Sequence, residues 1–404
     1  MYDAIIVGAG AAGIMCASAI KMNNSSLNVL LLEKNDKLGK KLSMTGNGRC
    51  NLGNLNTSIN NYFSSSNLDE FKNILIENKY LDYIKKIGIL IKEDDKRLYP
   101  YSNQAITVCK SFERYLEYLN VKIKYNYGVL CIKKDNDIFI INNDIKARNV
   151  VIATGGMSYP KTGSTGIGYE ILKGFGHKIE PIYPSLTYLN TNYKYIKDLA
   201  GVRCDAVVSL SVDGLIEDSE EGQVQFTRDA LSGICVFNLS RNVAKYLKEN
   251  KKVKLILDLV PEYNEQELKD YINSFSGYRV EDTLSGILNN KLSLIITKEL
   301  NISGKKVKEL KESELEGLIF NLHNMYFNII GVGDFNVAQV TCGGAALDEF
   351  TSNLESLKCS GLYAIGEVLD VDGKCGGYNL SWAFTSALVV ANSISKKVLK
   401  NSNS

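Results

Sequence analysis

The sequence predicts an α/β protein: a Rossmann-type nucleotide-binding domain with an inserted β-rich, barrel-like domain and a helical insert. Three observations predict it. A strand, a glycine turn, a helix and a second strand follow one another from Asp3 to Leu32. Strand-and-glycine patterning of the same kind returns only after residue 335. Between them the texture changes to alternating apolar and polar residues, then to a Lys/Glu/Leu-rich helical period. At 404 residues the chain also exceeds the roughly 250–300 residues that one core holds.

Asp3–Val7 is a short apolar run ending at a glycine turn, which reads as a buried parallel strand. Gly13–Lys21 carries Ile14, Met15, Ala17 and Ile20, a helix packed on a sheet. Asn28–Leu32 is the second buried strand. The Gly- and Asn-containing stretch Gly39–Asn54 is too long for a plain connection and reads as a functional loop. Leu68–Lys86 and Thr107–Leu119 are helical. Val121–Tyr127, Val129–Lys133 and Asp137–Ile141 are short strands, and Asn149–Ala153 is another buried strand. Tyr169–Phe175 is a helix. From about Ile182 an antiparallel β domain begins, with Ala206–Val212 running into a turn at Asp213–Gly214 and Val253–Val260 as a further strand. Asn264–Phe327 is the helical insert. Val337–Gly344 leads back to strands, Gly361–Gly366 is the last strand, and Leu380–Val398 is a closing helix. The expected domains are therefore residues 1–181 with 335–404, residues 182–262 with about 326–334, and residues 263–325.

Hydrophobic content of 45% and charged content of 23% suit packed cores, so disorder is expected only at the ends, such as the polar tail Lys400–Ser404. A net charge of +2 without long single-sign runs predicts neither a nucleic-acid nor an anionic-membrane partner. Nine cysteines, an odd number with no C-x-x-C pair, fit neither a disulfide scaffold nor a zinc site, and two histidines exclude a His-rich metal centre. No metal is expected. The apolar run Ala4–Ile20 lacks a basic leader and is short for a membrane span. Neither targeting nor membrane insertion is expected, and the location reads as cytoplasmic. The oligomeric state is not legible.

The first chemical motif is Gly8-Ala9-Gly10-Ala11-Ala12-Gly13. Gly8 permits the turn out of the strand, Gly10 lets the backbone approach a pyrophosphate, and Gly13 allows close helix–strand contact. The pyrophosphate would meet the helix N-terminus. Glu33, at the end of the second strand and followed by Lys34, can hydrogen-bond ribose hydroxyls. The turn Ala153-Thr154-Gly155-Gly156 resembles the second glycine turn common in FAD enzymes, and Gly361 to Gly366 with Glu367 resembles their C-terminal flavin motif, in which an acid often meets the ribityl chain; the two resemblances imply FAD rather than NAD. Glu367, or alternatively Asp370, is the candidate for the ribityl chain. Gly376-Gly377-Tyr378-Asn379-Leu380 then opens a helix whose positive end can stabilise charge on a reduced flavin. Asn379 is expected as its N-cap. Gly46, Asn47 and Gly48 let the backbone turn against the flavin, and Arg49 balances phosphate or flavin charge or makes a structural salt bridge. Cys50 and Cys375 read as packing residues, His177 as structural, and Trp382 with Phe384 as helix packing. Tyr159 and Tyr378 are candidates for a proton donor, each more readily a structural hydroxyl.

The run Lys40-Lys41-Leu42-Ser43-Met44-Thr45-Gly46-Asn47-Gly48-Arg49-Cys50-Asn51 resembles the signature loop of one bacterial flavoprotein family, the aminoacetone-oxidase-like or bile-acid-reductase-like NAD(P)/FAD-dependent oxidoreductases. Tyr159 to Tyr169 and Gly366 to Gly373, continuing into Gly376 to Leu380, match its other two blocks, and the resemblance spans nearly the whole chain. It implies an FAD domain broken by a β-rich domain that carries a helical insert. Two positions depart from it. Phe226-Thr227-Arg228 stands where the family often has Phe-Thr-His, and Gly166-Ile167-Gly168 where it often has Gly-Asp-Gly.

Flavin supplies the chemistry and the protein positions it. No second glycine-rich strand–helix unit is present, so NAD(P)H would dock transiently against the flavin. Three reactions fit: reduction of an activated C=C bond with NAD(P)H, oxidation of a small amine, or transfer to a quinone or protein acceptor. The block Gly163 to Tyr169 distantly resembles fumarate-reductase-type flavoproteins and tilts the reading toward C=C reduction of a small molecule. A flavin-dependent RNA-modifying protein is the alternative of another class. Lys305, Lys306, Lys308 and Lys311 would serve it, but Glu312, Glu314 and Glu316 make that face mixed in charge. A flavin-binding regulator without catalysis is the weakest reading.

Overall fold

The computed structural model describes residues 1–402, and side chains as far as residue 397. Of the tail Lys400–Ser404 expected to be disordered, Lys400–Ser402 continues the last helix and Asn403–Ser404 lie outside the described residues. The chain divides into two compact units, residues 1–183 with 339–404 and residues 184–338.

The first unit is built on a seven-stranded sheet. Its parallel part runs in the order Lys122–Lys124, Val29–Leu32, Tyr2–Val7, Ile145–Ile152, with Leu362–Ala364 beside the second half of Ile145–Ile152. Ile5 faces Leu30 on one side and Val150 on the other, and Val150 faces Leu362. Ala4–Val7 and Val29–Leu32 are buried without interruption, as strands covered on both faces must be. An antiparallel hairpin, Ile132–Asp135 with Ile138–Ile141, extends one edge. The helix Ala11–Asn23 packs against the closing helix Tyr378–Ser402. Five parallel strands therefore end at one edge, and their next residues, in sheet order, are Tyr125, Glu33, Gly8, Ala153 and Ile365. That edge, outside the carboxyl ends of the strands, is where open α/β sheets bind ligands.

The expected β-rich domain is a closed six-stranded barrel: Leu189–Thr191, Ala230–Ser232, Leu215–Phe226, Arg203–Val212, Val253–Asp258 and Met325–Val332. Asp213 and Gly214 both take positive φ, 51° and 93°, the geometry that a two-residue hairpin turn demands. Between Asp258 and Met325 lie the helices Glu265–Ser274, Val280–Leu284, Asn290–Glu299 and Glu312–His323.

Several sequence expectations need correction. The helix over Leu68–Lys86 is two pieces, Lys72–Ile76 and Tyr80–Lys86, because Glu77 turns to an extended conformation. The strand expected at Val129–Lys133 begins only at Ile132. The Leu130 and Cys131 amides donate to the Asn142 side chain instead of to a neighbouring strand. Only Lys122–Lys124 of Val121–Tyr127 is strand, and Asn126 lies in the left-handed region. The helical insert stops at His323, since Met325–Phe327 alternates inward and outward as part of the barrel. A hairpin absent from the reading, Ile91–Asp94 with Arg97–Pro100, turns at Asp95–Lys96 with φ of 50° and 60° and no glycine.

Candidate functional site

Three glycines of the first turn do different work. A Cβ at Gly8 would lie 2.5 Å from the Ala153 carbonyl oxygen, and one at Gly13 would lie 1.9 Å from that of Gly8. Both glycines are required by the protein's own backbone. A Cβ at Gly10 meets no atom within 4 Å. The space above it is open, and the helix that follows has no acidic residue in its first turn and no side-chain cap. Its first amides are thus left for an external acceptor. The buried Glu33 carboxylate accepts from the Ala9 amide at 2.8 Å, and from the Asn35 amide and side chain at 2.8 and 2.7 Å. Glu33 thereby stands beside the glycine turn, at the end a ribose would occupy. Burial lowers the Lys34 pKa, and its ammonium donates to Thr165 Oγ1 at 3.1 Å.

The signature loop is a short 3₁₀ segment, Leu42–Gly48, with a kink. Gly46, Asn47, Gly48 and Cys50 all have positive φ. Thr45 closes it: its hydroxyl donates to the Leu42 carbonyl at 2.8 Å and its carbonyl accepts from the Cys50 amide. Lys41 pairs with Glu367 at 2.7 Å, joining this loop to the C-terminal motif. Arg49 pairs with Asp94 at 2.8 Å, and its guanidinium lies 4.1 Å from the centre of the Tyr99 ring. Of the two roles read from sequence, the observed contact is the salt bridge. Burial pushes the Cys50 thiol up to about 12 and raises that of Cys375, which fits packing rather than thiolate chemistry.

Gly366 is held by the closing helix on both sides. Its amide donates to Ser386 Oγ and its carbonyl accepts from Trp382 Nε1, each at 3.1 Å. Trp382 is thus a packing residue. Asp370, fully buried, accepts from the Ser65 amide at 2.7 Å, whereas Glu367 is only partly buried, with an oxygen on Lys41 and one on the Thr341 amide at 2.8 Å. Asn379 is not the N-cap expected of it. It is the second residue of the helix, and its side chain clasps the Gly373 amide and carbonyl at 2.9 and 2.8 Å. Gly376 and Gly377 stand before it with positive φ, and a Cβ at Gly377 would strike the Gly53 carbonyl at 2.5 Å. Leu380 lies in the first turn of that helix.

The structure therefore brings the predicted residues of five segments to one sheet edge: Gly8–Gly13, Glu33–Lys34, Lys41–Asn51, Ala153–Gly156 and Gly366–Leu380. Two residues of this edge escaped sequence reasoning. Thr341 is buried, and its hydroxyl accepts from the Met157 and Ser158 amides at 2.8 and 3.1 Å. Asn35 ties the end of the second strand to the Thr162 carbonyl at 3.0 Å. Nothing local in sequence marks either.

The two proton-donor candidates differ. Tyr378 is buried, its hydroxyl donates to the Asn56 carbonyl at 3.2 Å, and burial raises its pKa. Tyr159 has φ of 56°, and its hydroxyl has no hydrogen-bond partner among the described residues.

Residues 2–393 match the family described as HI0933-like protein Rossmann domain. The chain belongs to this family. It is 33% identical over 97% of its length, and 98% of the relative's, to a 3-dehydro-bile acid delta(4,6)-reductase from Clostridium scindens. It is 30% identical, over the same shares, to a ribosomal RNA dihydrouridine synthase from Haemophilus influenzae. A 3-ketosteroid delta1-dehydrogenase from Sterolibacterium denitrificans shares the fold, with a TM-score of 0.50 and 13% identity, covering 98% of this chain and 99% of that one. The chain is an enzyme, an FAD-dependent oxidoreductase. The residues fit the cofactor on two structural grounds: the open space over Gly10 at an uncapped helix start, and the buried Asn51 Oδ1, which has no partner among the described residues. Among the described residues no helix is long and apolar enough to cross a membrane.

Proposed function

We propose that this enzyme reduces a C=C bond conjugated to a carbonyl group, using NAD(P)H as the electron source. One observation carries the proposal. Relatives bearing two unrelated substrate names align with nearly the whole chain, and both names describe the same chemistry. A delta(4,6) unsaturation beside a 3-oxo group is a conjugated enone system, and dihydrouridine is uridine whose ring C=C, conjugated to a ring carbonyl, has been saturated. In either case a hydride goes to the electrophilic end of the conjugated system, the carbon β to the carbonyl or, for the outer bond of a dienone, its vinylogous δ carbon, and a proton goes to the neighbouring carbon of that bond.

Gly8, Gly10 and Gly13 would hold the cofactor pyrophosphate, Glu33 and Lys34 the ribose end, and Glu367 the ribityl chain. Lys41, Thr45 to Asn51, Ala153 to Gly156, Asp370 and Gly376 to Leu380 would complete the seat. Bound FAD supplies hydride transfer. The chain's own part is to orient the substrate, exclude water and deliver the proton. Tyr159 serves the last role better than Tyr378, because its hydroxyl is not already donating to a carbonyl. The partner is a small molecule with an enone.

The second reading is that the conjugated bond belongs to a uracil ring in RNA, favoured by ribosomal RNA dihydrouridine synthases from two organisms at 30% and 29% identity. Against it, the barrel unit carries more acidic than basic residues, including Glu217, Asp218, Glu220 and Glu221 on one exposed strand.

Anaerobic mixing with NADH and NADPH, followed by the visible flavin band, tests the electron source. Bleaching by either nucleotide is expected. Re-oxidation of the bleached enzyme by a 3-oxo-4-ene steroid or by a ribosomal RNA transcript then separates the two readings. Re-oxidation by neither, alongside rapid reduction by a small amine, would overturn both.

A further inference from the structure

We propose that Thr341 is a positioning residue of the flavin seat, acting through two groups that it holds at once. The proposal rests on the FAD assignment above. Thr341 sits in the short strand Val340–Cys342, 1% exposed. Its Oγ1 accepts from the Met157 amide at 2.8 Å and the Ser158 amide at 3.1 Å, and lies 3.0 Å from Ser158 Oγ. Its own amide donates to Glu367 Oε1 at 2.8 Å, while the other Glu367 oxygen takes the Lys41 ammonium. One threonine thus connects the second glycine turn, the C-terminal flavin motif and, through Glu367, the signature loop.

Each connection sets something the cofactor would feel. The Met157 and Ser158 amides lead directly into Tyr159, a non-glycine residue at φ 56°. A bulky side chain in the left-handed region persists only where its surroundings over-determine it. Two amides fixed to a buried hydroxyl supply that constraint. The contact is also tight: a Cβ at Gly156 would lie 2.4 Å from Thr341 Oγ1, so the turn closes onto the hydroxyl without a side chain between. On the other side, Glu367 is partly buried, and a carboxylate free to swing would not present a defined oxygen to a ribityl hydroxyl. The Thr341 amide and Lys41 fix both of its oxygens. The hydroxyl, not the threonine backbone, ties the turn to this arrangement, so a residue lacking it would leave two amide donors without an acceptor.

The test is FAD titration of apoprotein, following quenching of flavin fluorescence, with wild type, Thr341→Val, Thr341→Ser and Thr341→Ala. Thr341→Val keeps the shape and removes the hydroxyl, and FAD affinity should fall about tenfold or more. Thr341→Ser keeps the hydroxyl and should stay within about threefold of wild type. Should Thr341→Val fail to fold, Thr341→Ala against Thr341→Ser gives the same comparison. Wild-type affinity in the hydroxyl-less variants would overturn the proposal. Equal losses in Ser and Val would overturn it too, since packing rather than the hydroxyl would then be responsible. Wild-type protein that takes up no FAD would instead sink the cofactor assignment, leaving the two failures distinguishable.

Discussion

In the first unit Ala4–Val7 and Val29–Leu32 are buried at every position, whereas in the barrel Val253–Asp258 is buried only at every second one. Strands covered on both faces have only their ends free for chemistry, and those ends are joined to helices by glycine turns that pack backbone on backbone. Strands that alternate turn one face to a core and the other to solvent, and the Asp213–Gly214 hairpin that joins two of them is uncrowded: a Cβ at Gly214 meets nothing within 4 Å. The difference teaches where each unit is vulnerable. The parallel unit should fail at its turns, and the barrel at its interior.

Gly13→Ala is the sharpest way to break that comparison. Its Cβ would lie 1.9 Å from the Gly8 carbonyl oxygen, a backbone atom that no rotamer change can move aside. The expected cost is about 3 kcal/mol or more, with loss of FAD uptake. A variant that melts like wild type and remains yellow would show that the turn is less rigid than the structure implies.

Phe327→Ala is the corresponding insult to the barrel. Phe327 is fully buried, with ring centres 4.8 Å from Tyr193 and 5.7 Å from Phe226. Truncation should cost about 3–5 kcal/mol by urea denaturation. A loss below about 1 kcal/mol would mean that the aromatic cluster is not the barrel's core.

Gly10→Ala separates ligand from fold within a single turn. No protein atom opposes its Cβ, so the apoprotein should change by no more than about 1 kcal/mol. FAD affinity should nevertheless fall at least about tenfold, because the added methyl occupies the path of the pyrophosphate. Calorimetry of the apoprotein and FAD titration read the two effects separately. Unchanged affinity would move the cofactor away from this turn.

These turns were legible in sequence because their determinants are local: the spacing of Gly8, Gly10 and Gly13 and the acid at Glu33 lie within one strand–helix–strand unit. The alternation of the barrel strands was legible for the same reason. What escaped depends on distant partners. Thr341 is one threonine among many until Met157, Ser158 and Glu367 are folded around it. The Asp95–Lys96 hairpin hid because its left-handed turn uses residues other than the Asn-Gly or Asp-Gly that usually signal one. Asn379 looked like a cap because it stands one residue after two glycines at a helix start, but its side-chain amide is drawn back to Gly373 by the turn it closes. Arg49 offered two partners in sequence, phosphate or acid, and only the fold sets Asp94 beside it.

His177 provides a pH-dependent test within the first unit. Its ring stacks on Phe350 at 4.6 Å, and its nitrogens meet Glu349 at 3.1 Å and Ser356 at 2.8 Å. Burial lowers its pKa despite the opposing Glu349 charge, so the folded state holds the neutral ring. The unfolded chain binds a proton below the ordinary histidine value of about 6.5 more readily than the fold does. The stability His177 contributes is therefore complete above that pH and is lost as pH falls below it. Wild type should lose more stability than His177→Gln between neutral and mildly acidic pH, measured by urea midpoints. Parallel pH profiles would show that the ring takes up its proton without strain.

The smallest effect is expected at Arg49–Asp94. Both side chains are largely exposed, and the 2.8 Å contact trades well-hydrated ions for one ordered pair. Arg49 lowers the Asp94 pKa by hydrogen bond and charge, so any stabilisation is present at neutral pH and fades as acid protonates Asp94. Asp94→Asn should leave the melting temperature almost unchanged at neutral pH. It also removes the ion partner of Arg49, a residue of the signature loop otherwise held by Asn103 and the Tyr99 ring. If Arg49 is only a structural partner of Asp94, FAD affinity and its salt dependence will not move. A rise in affinity that is erased by salt would mean that the released guanidinium reaches the cofactor phosphates, restoring the other role its place in the loop suggests.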